Sequence, residues 1–123
     1  MDAGAKVRRG DIFWIAPLAS GETAPGPAHP HVVVQDDVFN ASRVTTVIVC
    51  ALTTNPKRAK EPGNVLLDAG EGGLETQSVV VVSQVDAVEK TRLGVRVGAL
   101  SERRIVQILE GMRFLQASYF DRE

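Results

Sequence analysis

The sequence predicts a mainly β (α+β) domain: a small, strongly curved antiparallel β-barrel-like sheet with short helices and a packed C-terminal α-helix. Short apolar runs rich in β-branched residues recur along the chain, separated by Gly, Pro, Asn and Asp turn signals. Only the last segment repeats its apolar residues at the helical period.

Asp11-Ile12-Phe13-Trp14-Ile15-Ala16 starts after Gly10 and stops at Pro17, which marks a first strand. A loop rich in Gly and Pro follows as far as Pro30, because glycine is permissive and proline removes donors. His31 to Gln35 reads as the second strand, and Val38-Phe39-Asn40, after Asp36-Asp37, as one turn of helix. Thr45 to Ala51 is apolar enough to be a third strand buried on both faces, and Leu52 to Arg58 leaves the sheet at the Asn55-Pro56 turn. Asn64 to Leu67 makes a short fourth strand, Gly70 to Gly73 a turn, and Ser78 to Val85 the strongest strand. Glu89 to Leu93 predicts a helical turn and Val95 to Gly98 a brief extended piece. In the final helix Ser101 is the N-cap, and Ile105, Ile108, Leu109, Met112 and Leu115 share a face. Gly111 inside this helix implies a cost of about 1 kcal/mol relative to alanine.

With 123 residues and 13.2 kDa, residues 1–123 read as a single domain. Fourteen Lys and Arg against fifteen Asp and Glu leave a net charge of -1, so no global positive field draws nucleic acid, and any such site is a local patch. The apolar runs are too short to span a bilayer, and the N-terminus lacks the pattern of a signal peptide. One cysteine, Cys50, excludes an intrachain disulfide, suits the cytoplasm, and reads as a small buried hydrophobe. One Cys and two neighbouring His are too few ligands for zinc without carboxylate help, so no metal or cofactor is expected.

Both histidines fall in His29-Pro30-His31. Imidazole titrates near pH 6.5, so a histidine at a loop-to-strand corner is either a solvated loop residue or a proton-transfer group. Thr53 and Thr54 stand where a buried strand opens into a loop, where a hydroxyl bonds nearby backbone or is presented to a phosphate. Lys57, Arg58 and Lys60 follow as a phosphate-binding cluster or a solvated loop; Arg8-Arg9 could extend that patch. Arg103 and Arg104 read as solvent-face residues of the helix.

Taken in order, Arg9-Gly10-Asp11-Ile12-Phe13-Trp14, the Gly-rich loop ending in X-Pro before Val-Val-Val, Asn40, Val49-Cys50-Ala51-Leu52-Thr53, Ser78 to Val85, Lys90-Thr91-Arg92-Leu93 and Val97 to Ser101 closely resemble the MazF/PemK family of bacterial toxins. The resemblance spans nearly the whole chain and is collinear, which makes it far more specific than any one motif. It implies a MazF/PemK/CcdB-like fold, a homodimer, and the toxin of a type II toxin–antitoxin system, a metal-independent, sequence-selective endoribonuclease for single-stranded RNA. In that family the 2′-hydroxyl attacks the adjacent phosphate, leaving a 2′,3′-cyclic phosphate and a 5′-hydroxyl, and a cognate antitoxin covers the dimer groove.

Carried over by position, the family's catalytic threonine is Thr53, which would bind or polarise the scissile phosphate. The family's catalytic arginine, just before the proline that opens the second strand, is here His29. Arginine clamps phosphate through fixed donors, whereas histidine is the better general acid or base. Thr54, Lys57, Arg58 and Arg9 are the candidate RNA-binding residues. Glu22 is the nearest carboxylate to the family's loop glutamate, and Asp86 stands where relatives commonly carry arginine. Two further readings remain: a toxin-like protein that keeps the dimer and antitoxin groove without turnover, and a relative that poisons a topoisomerase.

Overall fold

The computed structural model describes residues 6–18 and 26–120, with side chains through Ala117. Its six strands are β1 (Asp11–Ile15), β2 (His29–Val33), β3 (Thr46–Thr53), β4 (Val65–Leu67), β5 (Ser78–Glu89) and β6 (Arg96–Ala99). They form one sheet in the order β4-β5-β3-β2-β1-β6 with every recorded pairing antiparallel. Two helices, α1 (Asp37–Asn40) and α2 (Glu102–Phe120), and three 3-10 turns at Pro56–Lys60, Glu71–Gly73 and Lys90–Arg92 complete the fold.

Period-two alternation splits the buried residues into two clusters. Ile12, Val32, Cys50, Leu52, Val80 and Val82 belong to the one packed against Ile108 of α2. Phe13, Ile15, Val33, Val47, Val49 and Val88 belong to the other. The sheet curls because β3 and β5 pair unequally. From Cys50↔Val85 to Leu52↔Val80, β3 advances two residues while β5 advances five. Surplus residues in one strand bend it and increase its twist. The bent β5 pairs with both β3 and β4.

Beyond shifts of a residue or two at other element ends, including the end of β2 at Val33 where the sequence reading runs to Gln35, three boundaries bear on the site. β2 begins at His29, two residues early, with Pro30 inside it opposite Trp14. Trp14 donates its N–H to Val95 and accepts from Gly94, so its backbone faces away from β2 and asks nothing of the proline. β3 continues through Thr53, and β5 continues to Glu89, held along β3 as far as Thr46↔Glu89.

Side chains fix the connections. Asp36 caps α1 by accepting from the Val38 N–H at 2.8 Å. Buried Asn40 accepts from Gln35 Nε2 and donates to the Gln35 carbonyl and to Asp37, while its own carbonyl accepts from Lys90 Nζ. Buried Asp11 accepts from the Arg8 N–H at 2.9 Å and from Arg96 at 3.1 Å, joining β1 to β6. Ser101 accepts from the Arg104 N–H, the N-cap expected of it.

The helix differs from its sequence reading at two residues. Arg104 does not lie on a solvent face: it grips Glu71 with two parallel bonds, Nε to Oε1 at 2.9 Å and Nη2 to Oε2 at 2.7 Å, and its side chain is 14% exposed. Paired donors of this kind match a carboxylate in geometry and charge. Gly111 is required by packing, because a Cβ there would overlap the Gly63 carbonyl oxygen. A residue with poor helix propensity therefore marks the closest approach of α2 to the turn before β4.

Gly111→Ala should destabilise the fold by about 1–3 kcal/mol through this overlap, against the gain of about 1 kcal/mol that propensity alone predicts; urea unfolding measures the sign. A more stable variant would show that the two backbones do not meet. The Arg104 guanidinium holds the Glu71 carboxyl at about 2 against its usual 4.5. A depressed carboxylate contributes stability that is fully present above the unfolded value and is lost as pH falls toward the folded one. Melting temperatures of the native chain and Glu71→Gln should therefore converge as pH drops from 5 to about 2. A constant difference over that range would sink the assignment.

Candidate active site

Pro30 opens the end of the sheet. Because Trp14 turns its backbone away from β2, Pro30 turns toward β3, where its missing N–H cannot continue the ladder. The pairs of β2 with β3 accordingly run only from Val33↔Val49 to His31↔Ala51. Continued past that last pair, the register sets His29 across from Thr53. Both line a cleft of about 430 Å³ between the ends of β1 to β3, the stretch leading from the Glu71–Gly73 turn into β5, and Val97 of β6. The two residues singled out by the sequence are thus brought together by strand register across a separation of 24 positions (53 minus 29).

Thr53 is held by its own turn. Its Oγ1 accepts from the Asn55 N–H at 3.2 Å, and the Asn55 side chain accepts from the Lys57 N–H at 3.1 Å. The backbone bond uses a lone pair and leaves the Thr53 O–H as a donor. Thr54 lines the same cleft. His29 is exposed on β2, and its carbonyl is bonded by Nδ1 of His31 at 2.9 Å. That contact makes Nδ1 the protonated nitrogen of a neutral His31. Burial lowers the His31 pKa, opposed by the bond to His29 and by the charge of Asp86, so this ring sits in β2 as a neutral strand residue at neutral pH. His29 has the access that proton transfer requires.

The cations divide. Lys57 and Arg58 stand on the 3-10 turn that begins just beyond Thr53 and Thr54, with Arg58 bonded to Glu61 at 2.6 Å. Arg9 is not brought to the cleft. Its Nε donates to the Val34 carbonyl at 2.9 Å and its guanidinium faces Asp36 at 3.7 Å, at the other end of β2 and about 16 Å from His29 at the usual strand rise. Asp86, opposite Val49 on β5, is exposed. Glu22 lies outside the described residues. Cys50 is fully buried with its thiol pushed up to about 12 by burial, which makes it packing and no nucleophile.

Sequence reasoning missed the opposite wall and the rim. Glu75, Thr76 and Ser78 line the cleft from the approach to β5, and Trp14 lines it from β1. Trp14 stands in the sequence reading only as part of the first strand and of the stretch that carries the resemblance, with no role at a site. Among the described residues no cluster of three or more His, Cys, Asp or Glu is placed to hold a metal, and no helix is long and apolar enough to cross a membrane.

Relatives place this geometry in context. Residues 8–115 match the family described as PemK-like, MazF-like toxin of type II toxin-antitoxin system. The chain is 35% identical over 107 residues to Endoribonuclease MazF6 of Mycobacterium tuberculosis, covering 87% of this chain and 94% of that protein. It is 30% identical over 109 residues to Endoribonuclease EndoA of Bacillus subtilis, covering 87% and 91%. In fold it resembles a mycobacterial endoribonuclease solved in complex with its cognate antitoxin (TM-score 0.73, 19% identity, covering 90% of this chain and 95% of that one). It is equally close to the MazE–MazF structure of Deinococcus radiodurans (TM-score 0.74, 16% identity, covering 91% and 96%). The curled six-stranded antiparallel sheet with its C-terminal helix is theirs as well, and on sequence match across residues 8–115 this chain belongs to the PemK-like, MazF-like toxins of type II toxin–antitoxin systems.

Proposed function

We propose that this toxin is a cytoplasmic endoribonuclease that cuts single-stranded RNA at selected sequences without a metal ion, and that the cleft holding His29 and Thr53 is where it cuts. The shared cleft carries the reading. His29 takes the proton of the ribose 2′-hydroxyl as the 2′-oxygen bonds to phosphorus. The P–O5′ bond breaks, and the leaving 5′-oxygen takes a proton from solvent. The products are a 2′,3′-cyclic phosphate and a 5′-hydroxyl. Thr53 donates its O–H to a non-bridging oxygen as charge builds there, with the Asn55 N–H fixing the hydroxyl oxygen in place. Thr54, Lys57 and the partly paired Arg58 steer the backbone on the far side of the scissile bond. Arg9 is left out of this reading because its guanidinium is committed to Val34 and Asp36.

The reading includes a homodimer and inhibition by a cognate antitoxin that covers the cleft. Relatives of the same fold solved in complex with an antitoxin support the antitoxin as a partner.

Purified protein should cleave single-stranded RNA in the presence of EDTA and leave 2′,3′-cyclic ends. Thr53→Ala should lower the rate at least about 100-fold, as should His29→Ala. Undiminished cleavage by Thr53→Ala would remove that residue from the chemistry. His29→Arg separates two roles: retained or higher activity assigns the position to charge and donors, whereas activity as low as that of His29→Ala assigns it to proton transfer.

A further inference from the structure

Trp14 is the one tryptophan of the chain and the one outward residue of β1, where Asp11, Ile12, Phe13 and Ile15 are all buried. It is 42% exposed and forms part of the cleft wall beside His29, Pro30 and Thr53. Its backbone is bonded on the edge away from β2. Pro30 stands opposite it on β2, its N–H donates to Val95 at 3.0 Å, and its carbonyl accepts from Gly94 at 2.8 Å. Gly94 has no room for a side chain, since a Cβ there would come within 2.5 Å of the Trp14 carbonyl oxygen. The result is a large, partly wet aromatic surface on a rigid strand, next to the residues assigned to the phosphate.

An indole face is chemically unlike the rest of the cleft. The hydroxyls can meet phosphate and ribose but offer no π-surface for a base, and the small imidazole ring of His29 is assigned to the ribose 2′-hydroxyl, which leaves the indole as the large aromatic face of the cleft. Single-stranded nucleic acids are held by stacking of unpaired bases on aromatic side chains together with contacts to the backbone. We propose that Trp14 is the stacking platform for the nucleobase next to the scissile phosphate, so that base and phosphate are held from adjacent strands. This rests on the RNA-cleaving reading of the cleft. It assigns Trp14 to substrate positioning and gives it no part in proton transfer. Stacking tolerates every base, because each has a π-face, so Trp14 supplies affinity and register while base selection falls to other parts of the cleft.

The sole tryptophan makes its own fluorescence the probe. The test uses the intact chain with a dye-labelled, fully 2′-O-methylated decamer of mixed sequence, which has no free 2′-hydroxyl to attack, and an abasic backbone of equal length that keeps the phosphates. The decamer should quench Trp14 emission saturably, and the abasic backbone should bind more weakly and leave emission unchanged. Trp14→Ala should weaken decamer binding roughly 5- to 100-fold, read by anisotropy, without altering binding of the abasic backbone; Trp14→Phe should recover most of the loss. Unchanged abasic binding also reports that the variant is folded. Decamer binding without quenching, and with equal affinity in Trp14→Ala, would overturn the stacking role and leave the RNA reading standing. If neither polymer binds and the native chain cuts no RNA, both readings fall.

Discussion

The constraint on which the rest of this structure depends is the unequal pairing of β3 and β5. A sheet of six short antiparallel strands with apolar residues on both faces would twist but stay open if every residue had one partner. Here β5 spends five residues where β3 spends two. The extra length bends β5 away from β3 and toward β4, and the sheet curls enough to enclose one cluster under α2 while a second forms on its other face. Val79 to Val82 are all buried. A straight strand facing water would not allow four consecutive apolar residues to be hidden, and the bend is what reconciles that run with an antiparallel sheet.

Much of this was legible in the sequence. Strand cores were marked by β-branched runs between turn residues, the helix by its period and by Ser101, and α1 by Asp36 and Asp37. What escaped was decided by partners distant in the chain. Pro30 argues locally for a loop, yet it lies within β2 because Trp14 bonds to Gly94 and Val95 and needs no donor from it. Arg104 has the spacing of a surface residue, and only the arrival of Glu71 from the turn before β5 makes it an anchor. Gly111 looks like a weakness until Gly63 is seen against it. At the candidate site, Thr53 and His29 were singled out through the resemblance, and their sharing of one cleft follows from a register that no local pattern encodes. Trp14, Glu75, Thr76 and Ser78 carried no chemical signal of their own.

The position of His29, where the resemblance to the family leads one to expect an arginine, is best read together with its neighbour. His31 is drawn into the strand, bonded to the His29 carbonyl and kept neutral by burial, so the two imidazoles do not share a role. His29 is the exposed one of the two, and it lines the cleft. A guanidinium would offer several donors and permanent charge, while a neutral imidazole offers one proton-accepting nitrogen; under the proposed reading, more of the phosphate's charge then falls to Thr53, Thr54 and the cations beyond them.

The bidentate bond between Arg104 and Glu71 reaches further than helix docking. Glu71 opens the turn that runs through Gly73 to Leu74, and those two residues form part of the cleft wall facing His29 and Thr53. The same turn packs against β6, where Gly73 lies against the Val97 carbonyl. One wall of the cleft is therefore tethered to α2, whereas the other is built into β2 and β3. The side chain that docks α2 is thus also the one that anchors the turn leading into one wall of the cleft, so the helix is part of the cleft's foundation without lining it.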